Sequence, residues 1–208
     1  MTEAIVQEKR RLDYKSPDFT IEDIDLTFTL DMEATVVTAV SKVKRLTSDK
    51  QAALVLDGEE LVLKEVLVND CATEYEVTSS SLILKNVPND FTLKVVTIIN
   101  PKNNTSLMGL YVSDGKFCTQ NEPEGFRRIT YFLDRSDVLA KYTTHIQAPN
   151  NQYTYMLSNG NLISDVVEND IRTVTWQDPF PKPSYLFALV AGDFDELKRE
   201  FITKSGKK

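Results

Sequence analysis

Apolar and polar residues alternate along much of this chain with the period of two that is typical of β-strands. Between residues 24 and 31 every second residue is apolar, and the residues between them are Asp or Thr. Such alternation predicts a strand with one buried and one solvated face. Residues 35–43 are rich in β-branched side chains and are predicted to form the hairpin partner of this strand.

Turn residues divide the rest of the chain into short segments that resemble strands. Asn159-Gly160 separates residues 153–157 from residues 162–167 and predicts a hairpin turn between them. The other predicted strands are residues 52–56, 61–68, 81–85, 91–99, 143–148, 172–177 and 185–190. This spacing predicts an all-β fold, either a sandwich or a set of open, curved sheets.

Helix signals are scarce. Residues 137–142 follow Ser136, a suitable N-cap, and predict one or two helical turns. Residues 195–201 predict either a short helix or the continuation of a strand. We therefore expect very little helix in the fold.

Composition narrows the classes of partner. The chain has 208 residues, 41% of them hydrophobic, which is enough for one large domain or two small ones. Its net charge of -7 argues against nucleic acid and against an anionic membrane surface, since both require a basic face. No stretch of 18 apolar residues occurs, so no membrane span is predicted. An acidic chain suits a cationic ligand, although many soluble proteins are equally acidic.

Two cysteines, Cys71 and Cys118, are too few for a secreted disulfide framework and are predicted to be free thiols in a reducing compartment. The N-terminal residues contain no apolar core like that of a signal peptide. The predicted location is therefore the cytoplasm.

The sequence lacks the residue patterns of the common catalytic sites. His145 is the only histidine, so neither a His-Glu-x-x-His motif nor a two-histidine ligand set can form, and no Gly-x-Ser-x-Gly motif occurs. We expect His145 to be an ordinary sheet-face residue and Cys118 to be a buried structural thiol; a hydrolase using Cys118 would require a reactive thiolate. We predict no catalytic residue and no metal site in this chain.

Residues 119–135 offer the most informative polar pair. Gln120 and Glu122 lie two positions apart, and in an extended segment their side chains would point the same way. A carboxylate beside an amide suits a ligand with a positive amine and several N–H donors. Each residue taken alone is equally consistent with a solvated loop, and Glu124 competes with Glu122 for the carboxylate role.

Longer motifs support a family resemblance that covers nearly the whole chain. They occur at residues 18–28, 107–111, 118–131 (CTQNEPEGFRRITY), 133–141 and 176–194 (WQDPFPKPSYLFALVAGDF). In this order they resemble the N-terminal domain of the aminopeptidase N family of zinc exopeptidases, in its bacterial, cytosolic branch. The resemblance implies a saddle-like arrangement of twisted antiparallel and mixed sheets. It also implies an N-terminal extension at residues 1–15, a β-domain at 16–195, and the start of a connection to a catalytic domain at 196–208.

The same resemblance implies that substrate binding and catalysis are shared between two domains. The family's Gly-x-Met-Glu-Asn and His-Glu-x-x-His motifs do not occur here, so zinc and catalysis would belong to the catalytic domain, and this fragment alone would be inactive. Gln120 and Glu122 match the family residues that bind the free amino group of the substrate. The implied partners are the chain's own catalytic domain and peptide N-termini, and the fragment would add part of the first specificity pocket.

The residues around the polar pair leave an alternative open. We expect Arg127, Arg128, Asp134 and Arg135 to form structural ion pairs near a domain junction, and the aromatic residues of 126–132 to belong to core and interface. The alternative is a stand-alone β-sandwich for binding or assembly. An exposed patch at residues 126–132 would then be its partner surface.

Overall fold

The computed structural model describes residues 10–207, which fold almost entirely into strands. The strands are β1 Phe19–Thr29, β2 Thr35–Arg45, β3 Leu54–Asp57, β4 Val62–Val68, β5 Cys71–Ala72, β6 Glu76–Val77, β7 Ser81–Leu84, β8 Asp90–Ile99, β9 Gly109–Ser113, β10 Lys116–Gln120, β11 Ala140–Pro149, β12 Tyr155–Ser158, β13 Asn161–Glu168, β14 Ile171–Lys182 and β15 Leu189–Gly192. Three 3-10 helices of three residues each lie at Arg11–Asp13, Phe126–Arg128 and Ser184–Leu186. The predicted all-β fold with very little helix is confirmed, and no helix within residues 10–207 is long and apolar enough to span a membrane.

The strands form three sheets. The large sheet has eight strands in the order β13-β14-β11-β1-β2-β8-β4-β5, and the smaller sheets have the orders β12-β15-β10-β9 and β3-β7-β6. β1 and β2 pair as the predicted antiparallel hairpin. On its other side β1 pairs in parallel with β11, from Asp23 opposite Lys141 to Thr29 opposite Gln147. The large sheet is therefore mixed, with one parallel pair near its centre.

The core lies under the apolar face of the large sheet, where the alternation in β1 places Ile24, Leu26 and Phe28 at 2% exposure or less. An aromatic cluster joins this face to the rest of the domain, with ring centroids 5.0 to 6.4 Å apart. Its members are Phe28, Phe126, Phe132, Tyr142 and Phe187. Removing one such ring typically costs about 3–5 kcal/mol, so this cluster is a main source of stability.

The helix predicted at residues 137–142 is wrong, because β11 already begins at Ala140. Ala140 and Tyr142 are both buried, and β11 hydrogen-bonds to β1 and β14 on its two sides. Pairing with two neighbours outweighs the local capping signal of Ser136. Residues 195–201 form neither helix nor strand, so both expectations for that segment are also wrong.

The hairpin predicted at Asn159-Gly160 is wrong as well. β12 pairs with β15 in one sheet and β13 pairs with β14 in another, so these two residues connect two sheets. Gly160 has a φ of 89°, and a Cβ there would lie 2.2 Å from the carbonyl oxygen of Gln177. The glycine therefore serves a close backbone approach, while the true hairpin turn is Asn169-Asp170, both with positive φ.

Other differences concern boundaries. The predicted strand at residues 185–190 is a 3-10 helix followed by the later strand β15. The predicted strands do not include β9 and β10, even though β10 carries Gln120, one of the two candidate site residues. Residues 1–9 of the predicted extension, and Lys208, lie outside the described residues. The limits of the β-domain at 16 and 195 stay predictions.

Candidate functional site

Gln120 and Glu122 lie at the exit of β10, in a loop that we call the 120–125 loop. β10 ends at Gln120 and the chain then turns, so the expectation of one extended segment through both residues is wrong. The two residues are nevertheless brought together, since the Gln120 side-chain amide donates to the Glu122 carbonyl oxygen at 3.2 Å. Both residues are exposed, and the Glu122-Pro123 peptide bond is cis.

The base of the loop is buried and tightly packed. Asn121 is 3% exposed, and its Nδ2 donates to the carbonyl oxygen of Phe187 at 2.7 Å. The Gly125 N–H donates to the Asn121 carbonyl oxygen at 2.9 Å. A Cβ at Gly125 would lie 2.4 Å from the Gln120 carbonyl oxygen, so only glycine fits here. Sequence reasoning missed Asn121, because nothing in the sequence shows that its side chain points inward to a backbone oxygen distant along the chain.

An open cavity of about 430 Å³ adjoins the tip of the loop. Its lining residues are Glu122, Pro123, Glu124, Asp134, Ser136 and Tyr185. Three of them carry carboxylates, and their surroundings differ. Within residues 10–207, the Glu122 carboxylate makes no hydrogen bond or ion pair. The Glu124 carboxylate lies 3.5 Å from the Arg127 guanidinium, and the buried Asp134 carboxylate pairs with the same guanidinium. Glu122 is therefore the carboxylate that is best able to bind a cation from solution.

The charged residues behind the loop form the expected ion pairs. Arg127 Nε contacts Asp134 Oδ2 at 2.9 Å, and the Asp134 N–H donates to Asp57 Oδ2 at 3.1 Å. Burial raises the pKa of the Asp57 carboxyl, and the nearby Arg127 opposes that rise. Arg128 pairs with Glu59 and Glu60, and Arg135 pairs with Asp137 at 2.7 Å. The contacts with Asp57, Glu59 and Glu60 fasten the segment after the loop to the end of β3 and to the connection that follows it.

The aromatic residues of 126–132 are part of the core, as expected. Phe126 and Phe132 are fully buried and Tyr131 is 6% exposed. The exposed patch that the stand-alone alternative placed at residues 126–132 is therefore wrong, because these rings pack inside the domain.

Cys118 shares β10 with Gln120 and is half-buried. Burial raises the pKa of its thiol, with Lys116 opposing the rise, so the reactive thiolate is disfavoured. Cys71 is exposed, and neither cysteine is in a disulfide. In the part of the chain that the structure describes, no three His, Cys, Asp or Glu side chains lie where they could hold a metal ion together.

His145 lies on a face of the large sheet between β1 and β14. Its Nε2 is 3.1 Å from Asp25 Oδ2, and its Nδ1 is 2.9 Å from Thr175 Oγ1. The hydrogen bond to Asp25 raises the His145 pKa, and partial burial opposes this rise. His145 therefore has a structural partner on each ring nitrogen.

We expect this ion pair to make the stability of the domain depend on pH. Because the folded-state pKa of His145 is raised above 6.5, the stabilisation is complete below about pH 6.5 and is lost as the pH rises through the folded-state pKa. The urea midpoint should fall between about pH 6 and about pH 8 more steeply for the natural chain than for Asp25→Asn, which removes the negative partner. Equal slopes for the two proteins would contradict the pairing.

Comparison with known proteins places this architecture in a family. A family model described as the peptidase M1 N-terminal domain matches residues 20–186. The chain belongs to this family. Among its relatives, aminopeptidase N of Escherichia coli strain K12 is 53% identical over 204 residues, covering 97% of this chain and 23% of the relative. Aminopeptidase N of Haemophilus influenzae is 49% identical over 208 residues, covering 98% of this chain and 24% of the relative.

Solved structures of other proteins share the fold of this chain. Aminopeptidase A of Legionella pneumophila, solved in complex with aspartic acid, superposes with a TM-score of 0.90 and 39% identity, covering 96% of this chain and 24% of that one. An M1 zinc metallopeptidase from Deinococcus radiodurans gives a TM-score of 0.73 at 17% identity, covering 84% of this chain and 42% of that one, which shows a shared fold. The chain spans about a quarter of the length of the two aminopeptidase N relatives.

Proposed function

We propose that this chain is the N-terminal domain of a zinc aminopeptidase that releases N-terminal amino acids from peptides, and that the 120–125 loop binds the free α-amine of the substrate. The observation that supports this role is the exposed Glu122 carboxylate, unpaired within residues 10–207, beside an open cavity. Relatives of about 50% identity are named aminopeptidase N. Releasing residues only from the N-terminus calls for recognition of a free amine, which a carboxylate can provide.

The chemistry of the pair suits a peptide N-terminus. An ammonium group carries three N–H donors and no acceptor, as in lysine. Glu122 would accept a charge-assisted hydrogen bond, which is about twice as strong as a neutral one. The Gln120 Nε2 already donates to the Glu122 carbonyl oxygen, so its Oε1 remains to accept from the same ammonium group. An internal peptide amide offers only one N–H and no charge, so the loop would select chain ends.

Holding the amine also places the bond to be cleaved. With the ammonium group fixed, the first peptide carbonyl lies at a set distance from the loop, which is the positional part of catalysis. The described residues offer no ligand set for zinc, so the metal would be held by polypeptide outside this chain. Zinc, when bound, polarises a carbonyl and activates water. The residues of this chain would contribute binding, orientation and part of the first specificity pocket.

The proposed partners are the protein's own catalytic domain and peptide N-termini, with neither nucleic acid nor membrane among them. The net charge of -7 supports the exclusion of anionic partners. The proposed location is the cytoplasm, which is supported by two free thiols, one of them exposed at Cys71.

We expect the 208-residue chain alone to be inactive. Incubated with zinc and an aminoacyl chromogenic amide, it should show no turnover above the blank, because the catalytic motifs are not in its sequence. A longer protein that continues past Lys208 into Gly-x-Met-Glu-Asn and His-Glu-x-x-His should cleave the same substrate. Turnover by the isolated chain at the rate of the longer protein would refute the proposal, and a stop codon directly after Lys208 would favour a stand-alone binding module.

A further inference from the structure

The 120–125 loop has an exposed tip and a buried base, and one side chain joins them. Gln120 and Glu122 point to solvent, while Asn121 between them is 3% exposed and points into the domain. Asn121 therefore lies directly beneath the two residues that the proposed function assigns to the substrate amine. Its own side chain is too deeply buried to contact a ligand at the tip.

The contact of Asn121 is with a rigid part of the core. Its Nδ2 donates to the Phe187 carbonyl oxygen at 2.7 Å. The Phe187 ring packs on Phe28, Phe126 and Tyr142 with centroids 5.9, 5.3 and 5.8 Å away. A backbone oxygen held by that cluster is a fixed reference point, so this hydrogen bond sets the depth of the loop relative to the domain.

The loop tip is also restrained by the Gln120 side-chain hydrogen bond to the Glu122 carbonyl oxygen and by the Glu124–Arg127 ion pair, but neither of these joins the tip to the aromatic core. The Gly125 N–H donates to the Asn121 carbonyl oxygen at 2.9 Å, so the far end of the loop is also fixed to Asn121. Glu122 and Pro123 are exposed, and the Glu122 carboxylate has no partner within residues 10–207 that could fix its direction. The Asn121 Oδ1 is buried and accepts no hydrogen bond from any described residue, so the donor on Nδ2 carries the restraint.

We propose that Asn121 is a positioning residue for the amine site: its buried hydrogen bond to Phe187 sets where Gln120 and Glu122 meet the substrate. This inference rests on the proposed function. Losing the bond lets the tip move, and a displacement of about 1 Å at a positioning group lowers catalytic efficiency strongly. The effect should appear in recognition of the amine and not in the state of the metal.

The test uses the full-length protein that carries this chain, with Asn121→Ala. We expect KM for an aminoacyl chromogenic amide to rise about fivefold to tenfold with kcat changed less than about threefold, because a binding restraint is lost and the reacting groups remain. Affinity for an α-amino acid hydroxamate should fall by a similar factor. Affinity for the same hydroxamate without its amine should stay within about twofold. Equal weakening of both hydroxamates would overturn the inference, because it would indicate general damage.

A matched control is available on the same backbone segment. Asn159 donates from Nδ2 to the Leu186 carbonyl oxygen at 3.1 Å and accepts from the Ala188 N–H at 2.7 Å, on either side of Phe187. Asn159→Ala removes two hydrogen bonds beside Phe187, but the Phe187 ring stays packed in the aromatic cluster and keeps its carbonyl oxygen in place for Asn121, so the KM should stay unchanged. A rise in KM equal to that of Asn121→Ala would overturn the inference. If Asn121→Ala does not fold, Asn121→Leu keeps a side chain of similar shape, removes the donor and introduces no charge, and the same outcomes apply to it.

A double-mutant cycle separates this inference from the proposed function. If Asn121 acts through Glu122, adding Asn121→Ala to Glu122→Ala should raise KM by less than about twofold further. If the double variant instead raises KM by the product of the two single effects, the positioning role of Asn121 is overturned. Should Glu122→Ala alone leave amino hydroxamate binding unchanged, the proposed function of the loop fails. Should Glu122→Ala weaken that binding while Asn121→Ala does not, only the role of Asn121 fails.

Discussion

Replacing Glu122 by Ala in the full-length protein is expected to lower kcat/KM for aminoacyl amides by about 10- to 150-fold, since a hydrogen bond to a charged group contributes about 1.5–3 kcal/mol. The carboxylate is exposed and has no other partner within residues 10–207, so its loss should not disturb the fold. Bound zinc should be unchanged, because the described part of this chain offers no metal ligands. Steady-state kinetics and metal analysis measure the two effects separately.

The neighbouring carboxylate provides the control. Glu124→Gln lies in the same loop and lines the same cavity, but its carboxylate is 3.5 Å from Arg127 and is partly neutralised there. We expect a change in kcat/KM of less than about threefold for this variant, because the Glu124 carboxylate is already paired with Arg127 and is less available to the substrate amine. Wild-type kinetics for Glu122→Ala, or an equal loss for Glu124→Gln, would remove the assignment of the amine to Glu122.

Asp134→Ala is expected to destabilise the isolated chain by about 3–5 kcal/mol, the range found when one partner of a buried ion pair is removed. The Asp134 side chain is 1% exposed and accepts hydrogen bonds from Arg127 Nε at 2.9 Å and from the Arg127 N–H at 3.2 Å. It also accepts from the Ser184 hydroxyl. Its loss leaves a largely buried guanidinium without its principal partner. Urea unfolding at neutral pH measures the change in the free energy of unfolding.

An exposed aspartate three residues along the chain is the comparison. Asp137 pairs with Arg135 at 2.7 Å, but both side chains reach solvent, and Asp137→Ala should cost at most about 1 kcal/mol. Comparing the two variants measures the effect of burial, because both variants remove an aspartate that pairs with a nearby arginine and only Asp134 is buried. Similar losses of stability in the two variants would show that burial of Asp134 is not what makes its pair important.

The parts of the fold that the sequence predicted well are those in which one local pattern decides the structure. The alternation in residues 24–31 predicted the buried face of β1, and the adjacent segment paired with it as a hairpin. Asn159-Gly160 shows the limit of such reasoning. Its residues suit a hairpin turn, but β12 and β13 join different sheets, and their pairing with β15 and β14 depends on strands distant in the sequence.

The candidate site, too, could be predicted from sequence only in part. Gln120 and Glu122 could be selected from their chemistry and spacing, yet they meet through a turn and not through the alternation of a strand. The unpaired state of Glu122 depends on where Arg127 lies, and that position is set by Asp134 and by the packing of Phe126. Asn121 could not be found from sequence, since its partner is a backbone oxygen at Phe187.

The parallel pairing of β1 with β11 determines the order in which a growing chain can fold. Residues 23–29 obtain their second neighbour only when residues 141–147 have been synthesised, so one edge of β1 stays open while most of the domain is translated. Pairing between distant segments slows folding, and an open strand edge can associate with other chains. A ribosome that pauses before residue 141 would therefore hold an aggregation-prone intermediate, whereas one that has passed β14 can release a chain with every strand of its large sheet.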